Sequence, residues 1–439
     1  MIKPFDRKIL RLALPNIVSN LTVPLLGMAD LAILGHLESI DYLSAVALGG
    51  MVFSIIYSVF GFLRMGTSGF AAQAIGSRDL SETALVFLRA MFVALAIGFL
   101  LIALQVPIDV AAFSMIDGAA EGSESVKTLA AEYFYIRIWA APATMAIFVF
   151  NGWFIGMQNA RFPMFVAILI NVINVGLNLL FVFGLNMKSD GVAYGTLIAQ
   201  YSGLLVSVFL FWKYYKKVFK NVMPNQVFIT AKILRFLNVN KDIFIRSFTI
   251  MLVLSFFTLQ SFAENKETLA INTLLLQYFF IYAYFMDGFA NAAEALTGKY
   301  IGAGDKLMLR KSISRNFAWG FYLTIPFAIV YFFAGDALLQ FLTNDANLIE
   351  KSAEYLPWIA LIPLVSCVAF IWDGIYIGAT ASAGLRNTML IATFVFFAPT
   401  WYFLNDSLGN HALWLAFILF LFGRGLMQTI FAKSSIRIP

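Results

Sequence analysis

Apolar runs close to 20 residues long recur from one end of the chain to the other, separated by short polar stretches. A helix of that length spans a hydrocarbon layer ~30 Å thick at ~1.5 Å rise per residue. Twelve runs are predicted as membrane helices, at roughly 10–35, 45–73, 84–105, 128–156, 161–184, 191–212, 243–263, 269–298, 314–334, 353–378, 388–404 and 411–432. The predicted fold class is an all-α polytopic membrane protein.

The polar stretches between the runs alternate in charge. With both termini inside, the outward connections hold only Lys127, Lys188, Lys266 and Lys351 of the chain's 30 Lys and Arg. Arg64 and Arg137 fall within runs. The two longest outward connections, near 106–127 and 335–352, are acidic, with Asp109, Asp117, Glu121, Glu124, Asp336, Asp345 and Glu350. Basic residues stay on the cytoplasmic side during insertion. An even number of spans with both ends cytoplasmic accounts for the pattern, and an odd number does not.

Composition agrees and excludes several classes. The chain is 61% hydrophobic and 12% charged, against ~45–50% and ~25% in soluble domains. The net charge of +6 follows from topology and implies no nucleic-acid partner. One cysteine, Cys367, allows no intrachain disulfide and no cysteine metal site. Two histidines, His36 and His411, are too few and too far apart for a metal cluster. The basic start at 1–11 precedes an apolar run too long for a cleavable signal peptide. No phosphate loop, dinucleotide fingerprint or nucleophile elbow is found. The chain is expected not to be an enzyme, to need no cofactor, and to draw any pumping from an ion gradient.

The chain also repeats itself. GWFIG at 152–156 returns as GIYIG at 374–378, at the ends of the fourth and tenth runs. AIGSRD at 74–79 returns as YIGAGD at 300–305, after the second and eighth. The offsets are 222 and 226, so six spans recur in the same orientation. The predicted division is an N-lobe at 1–212, a basic cytoplasmic linker at 213–242 and a C-lobe at 243–439. The linker reads as a positive-inside connection, part of it an amphipathic helix on the inner leaflet. GxxxG at 152–156, 191–195, 298–302 and 374–378 signals close helix packing.

Polar groups inside the runs are the candidate chemistry, because an ionisable side chain in hydrocarbon costs a few kcal/mol or more. Asp30 closes the first run, which also carries Pro15 and Pro24. Each proline removes a helical hydrogen bond and invites a kink. Asn171, Asn174 and Asn178 share one face of the fifth run. They are candidates to bind the Asp30 carboxylate, or to form a purely structural seam. Thr196 and Asn151 are candidates to join either arrangement. In the second half, Asp287, Asn291 and Glu294 share a face of the eighth run, and Asp373 precedes GIYIG. Candidate partners for these acids are Arg64, Arg137, Arg246 and Arg424.

Several segments together resemble the multidrug and toxic compound extrusion (MATE) family. They include RLALPNIVSNLTVPLLGMADLAILGHL at 11–37, FLRMGTSGFAAQAIG at 62–76, FYIRIWAAPA at 134–143 and GWFIGMQNAR at 152–161. DGFANAAEAL at 287–296, WDGIYIGAT at 372–380 and GNHALWLA at 409–416 complete the set. The chain looks closest to the branch named for the DNA-damage-inducible protein F. The resemblance implies two pseudo-symmetric six-helix bundles around a central cleft, and export of cationic or amphipathic compounds in exchange for H⁺ or Na⁺ by alternating access. Asp30 matches that branch's first-helix acid, whose protonation bends the helix, and Pro15 matches the proline at the bend. Asn174 and Thr196 match members of its N-lobe network. Asp373 falls where another branch places a C-lobe cation site. Where many relatives have a second fifth-helix acid, this chain has Asn178. One carboxylate in place of two weakens the case for Na⁺ in the N-lobe.

The expected function is H⁺-coupled antiport from the inner membrane, with Asp30 as the protonation site. The expected partners are small molecules and membrane lipids, and the expected state is a monomer. The alternatives are a lipid or lipid-linked oligosaccharide flippase, a Na⁺-coupled antiporter using Asp287, Glu294 and Asp373, and a channel or receptor.

Overall fold

The computed structural model describes residues 3–35, 39–114, 123–220, 222 and 224–436. Twelve helices are long and apolar enough to cross a membrane. They are α1 (Pro4–Leu34), α2 (Ile40–Gly76), α3 (Leu80–Ala103), α4 (Glu124–Gly156), α5 (Arg161–Gly184), α6 (Ser189–Phe219), α7 (Thr230–Glu264), α8 (Lys266–Gly302), α9 (Lys306–Leu342), α10 (Leu356–Gly378), α11 (Ser382–Leu408) and α12 (Asn410–Ser435). Each coincides with one predicted run, and no strand occurs among the described residues. Hydrocarbon offers backbone groups no partners, so a single span satisfies them only as a helix. Short polar side chains mark the starts. Asp79, Asn265 and Asp305 each accept a backbone N–H three residues on, at 2.7–2.9 Å.

Three predicted details change. The acidic outward connections hold short helices, Gln105–Phe113 and Ala346–Ala353; Asp117 and Glu121 lie outside the described residues, as does His36. The 213–242 stretch is mostly not a separate surface helix. Its first residues continue α6 and its last thirteen open α7. Arg89 on α3 holds what lies between, donating to the carbonyls of Val227 (3.1 Å) and Gln226 (2.9 Å) and to Glu82 (2.8 Å). Finally, α1 runs on as helix through both Pro15 and Pro24. Polar side chains cap carbonyls beside them: Asn16 donates to Leu12 (2.8 Å) and Thr22 to Ser19 (2.7 Å).

Contacts divide the chain into two compact units. One comprises residues 1–17, 72–78 and 234–439, the other 18–71 and 79–233. The first half of α1 therefore belongs with the C-terminal spans. Asp6 makes a two-pronged pair with Arg315 on α9, at 2.8 and 2.7 Å. Phe5 stacks on Tyr300, and Ala13 and Ile17 press against Gly288 on α8. The second unit has an aromatic core at the α3, α4 and α6 crossing, where Phe87 stacks on Phe211 with ring centroids 4.4 Å apart. Trp153 is fully buried beside them and donates to the Thr83 carbonyl at 3.0 Å.

The backbone carries the internal repeat more clearly than the sequence does. All six described residues with positive φ fall into three pairs: Arg78 (61°) with Gly304 (66°), Gln158 (63°) with Thr380 (52°), and Asn186 (53°) with Gly409 (52°). The pairs are 226, 222 and 223 residues apart. Non-glycine residues in this region cost ~1–2 kcal/mol, so the shared turns are retained for what they position. The helix crossings repeat too. A Cβ on Gly152 would strike the Arg64 carbonyl, and one on Gly374 would strike the Ala290 carbonyl. Thus α4 meets α2 as α10 meets α8. Within the first unit, Gly76 faces the Lys299 carbonyl and Gly302 faces the Gln73 carbonyl, a reciprocal pair. Replacing Gly374 by Val is expected to lower stability by about 1–3 kcal/mol or more, because backbone cannot yield as a side-chain tip can. Thermal unfolding in detergent checks this, with the exposed Gly27→Val, which meets nothing within 4 Å, as the control.

Candidate functional site

The second half of α1 lies against α5, and the polar face of α5 meets Asp30 there. Asn178 Nδ2 donates to Asp30 Oδ1 at 2.8 Å and to Asn174 Oδ1 at 3.1 Å. Asn174 Nδ2 donates to the Thr196 hydroxyl on α6 at 2.9 Å, and Thr196 donates to the Val192 carbonyl at 3.0 Å. Asn174, Asn178 and Thr196 are buried, and Asp30 is half-buried. The four form one relay whose last donor is delivered to the carboxylate. Because both hydrogens of the Asn178 amide are spent, its Oδ1 turns toward Gly195, where a Cβ would collide with it. That oxygen is buried and has no hydrogen-bond partner among the described residues. Two residues beyond Asn178, α5 loosens into a π-turn at Leu180–Gly184, a distortion common beside functional groups.

The remaining first-half candidates divide. Asn171, on the same face as the relay, donates instead to the Thr22 carbonyl of α1 at 3.0 Å. It ties the two helices together two turns from Asp30. Asn151 does not join the relay, and its Oδ1 is buried without a hydrogen bond among the described residues. Two residues on α4 do approach it. Tyr133 is fully buried near Thr196, and Arg137 acts electrostatically on Asp30. Arg137 was legible as an intramembrane cation; Tyr133 looked like any other aromatic in an apolar run.

The second-half acids sit differently. Asp373 on α10 is 4% exposed and bound from three sides. Arg246 (α7) and Arg424 (α12) both donate to its Oδ2, the latter at 2.8 Å, and Gln428 donates to Oδ1 at 2.5 Å. All three partners are buried. Glu294 and Asn291 are buried on α8, while Asp287, on the same helix, is exposed. Asp287 acts electrostatically on Arg424. Two more fixed contacts lie at the ends of the unit. Asp242 receives Arg386 (2.6 Å) and Ser382 (2.9 Å). In the 409–416 motif, Asn410 exchanges hydrogen bonds with Asn272 at 2.7 and 3.0 Å, while Trp414 donates to Asn272 at 2.8 Å.

A family profile described as MatE matches residues 15–180 and 243–403. The chain belongs to the MatE family. The two matched stretches fall on either side of the α6–α7 connection, in keeping with the internal repeat. The DNA damage-inducible protein F of Escherichia coli K12 is 35% identical over 96% of this chain and 90% of its own length. The probable multidrug resistance protein NorM of Thermotoga maritima is 26% identical over 89% of this chain and 82% of its own. A MOP superfamily transporter from Pyrococcus furiosus shares the fold, with a TM-score of 0.83 at 20% identity over 98% of this chain and 95% of that one. A MATE crystal structure in the bent conformation has a TM-score of 0.86 at 20% identity, with the same coverage. The resemblance drawn from the sequence is borne out. MatE proteins are transporters and not enzymes, and this one is a multi-pass membrane protein whose relatives are named for multidrug resistance and export.

Proposed function

We propose that this MatE chain is an H⁺-coupled antiporter of the inner membrane. It exports cationic or amphipathic small molecules by alternating access, with both termini cytoplasmic. Asp30 is the group that binds the proton. The observation that carries this reading is the contrast between the surroundings of Asp30 and those of Asp373. Asp30 is hydrogen-bonded by an amide, and its cation, Arg137, stays out of ion-pair contact. Asp373 already has two guanidinium partners. A carboxylate so countered gains little from a proton, whereas a carboxylate held by amides exchanges its charge for a neutral donor.

The relay ties Asp30 on α1 to Asn178 and Asn174 on α5 and to Thr196 on α6. A change of charge on Asp30 is therefore felt by all three helices, and the substrate loses its countercharge in the same step. Coupling through Na⁺ at Asp373 is disfavoured, because a cation there would join two arginines on one carboxylate.

The test is reconstitution into liposomes with an imposed pH gradient, with and without a Na⁺ gradient, reading uptake of a fluorescent organic cation. Uptake that follows ΔpH in the absence of Na⁺ is expected. Uptake that needs Na⁺ and ignores ΔpH would move coupling to the second half and end this proposal.

A further inference from the structure

The surroundings of Asp30 hold a fixed cation as well as an acid. Arg137 is half-buried on α4, with its guanidinium 4.7 Å from the Phe53 ring centroid and 5.5 Å from that of Tyr133. Nη1 donates to the Tyr133 hydroxyl at 2.5 Å. Among the described residues that is its one hydrogen bond, and it makes no ion pair. A guanidinium carries five N–H donors, so most of Arg137's are unspent. Its neighbour on α2 is Gly50, where even an added Cβ would stay 3.9 Å from Nη1. Tyr57, also within the field of Arg137, is buried with its hydroxyl beside Thr144. Asp30 and Arg137 act on each other through space without closing a contact. Hydrogen-bonding capacity therefore remains on the cationic side of the site.

Charge counting says what fits. With Asp30 ionised, Asp30 and Arg137 sum to zero. A simple organic cation is drawn by the acid and repelled by the arginine. A zwitterion finds an opposite charge for each of its ends, and the arginine fork matches a planar carboxylate in two hydrogen bonds. Once Asp30 takes a proton, the basic end of the zwitterion has no partner and faces Arg137 alone. Release still follows proton uptake, so the sense of exchange is that of an antiporter.

We propose that Arg137 is a specificity-determining residue which selects amphipathic zwitterions, binding the substrate's acidic group while Asp30 binds its basic group. This deepens the function proposed above and rests on its placing of the site at Asp30. Phe53 and Tyr133 are part of the device. Their rings hold the guanidinium by cation–π contact without neutralising it, which an acid in their place would do.

The experiment uses purified full-length protein in detergent and a matched pair of probes. One is a dansyl-tagged betaine, bearing a quaternary ammonium and a carboxylate. The other is its methyl ester, which keeps the ammonium alone. Fluorescence titration at pH 8 is expected to show the betaine bound at least about tenfold more tightly than the ester, as close desolvated charge pairs allow. In Arg137→Gln that ratio should fall to one or below. Arg137→Lys, which keeps the charge and loses the fork, should retain a ratio above one. Equal or weaker betaine binding in the wild type overturns the assignment, and so does an unchanged ratio in Arg137→Gln. If the Gln variant does not fold, the wild-type ratio and the Lys variant still decide. Failure of proton coupling would look different: uptake would ignore ΔpH while the betaine preference persisted, and that preference would uphold the role of Arg137.

Discussion

Asp30→Asn is expected to abolish ΔpH-driven accumulation while leaving the protein folded. The amide matches the carboxylate in size, so packing between α1 and α5 is kept, and its oxygen still accepts from Asn178 Nδ2, the bond that is 2.8 Å in the wild type. What is lost is the ability to gain and release a proton. A gradient of two pH units is worth about 2.7 kcal/mol per proton, or about 100-fold accumulation at balance. The variant should show none of it, in liposomes where the wild type approaches that limit. Exchange of labelled for unlabelled substrate without a gradient should fall as well, because the neutral amide offers the substrate's basic group no countercharge. Normal ΔpH-driven uptake by Asp30→Asn would eliminate Asp30 as the coupling site. Thr196→Val, which removes the relay's far end, should slow uptake without removing its dependence on ΔpH.

Asp373→Ala is expected to cause the largest loss of stability of any single change considered. It would leave the guanidinium groups of Arg246 and Arg424, both buried, facing each other with no carboxylate between them. Breaking a buried ion pair from one side costs about 3–5 kcal/mol, and here two cations are stranded at once. Thermal unfolding in detergent, followed by size-exclusion fluorescence, should place Asp373→Ala well below wild type. Arg424→Met should be milder, since Arg246 and Asp373 still pair. Replacing Asp373, Arg246 and Arg424 together by Leu, Met and Met should recover much of the loss, as an apolar cluster replaces the charges. If Asp373→Ala unfolded at the wild-type temperature yet lost Na⁺-dependent uptake, the structural role given to Asp373 would be refuted.

These two expectations turn on what a single chain of letters does and does not contain. The twelve spans were legible because hydrocarbon imposes one local rule: an apolar run long enough to cross must be helical, whatever its neighbours. The Asn171, Asn174 and Asn178 stripe was legible because helical spacing alone puts it on one face, and the repeat showed in GWFIG and GIYIG because both glycines serve the same helix crossing. Tertiary structure decided the rest. Asp30 and Asp373 look alike as lone acids in apolar runs. They are told apart by Asn178, 148 residues from Asp30, and by Arg246, 127 residues from Asp373. Asn151 was a candidate to join the Asn174 arrangement, and packing leaves it out while putting Asn174 beside Thr196. Asp287 and Glu294 share a helical face by spacing, yet one is exposed and the other buried, because burial depends on which helices pack over that face. Arg137 could have paired with any acid, and only the fold shows it resting on rings. Whether a charge in a membrane is neutralised, relayed or left open to a ligand depends on partners brought together from distant parts of the chain, and local sequence carries no trace of that choice.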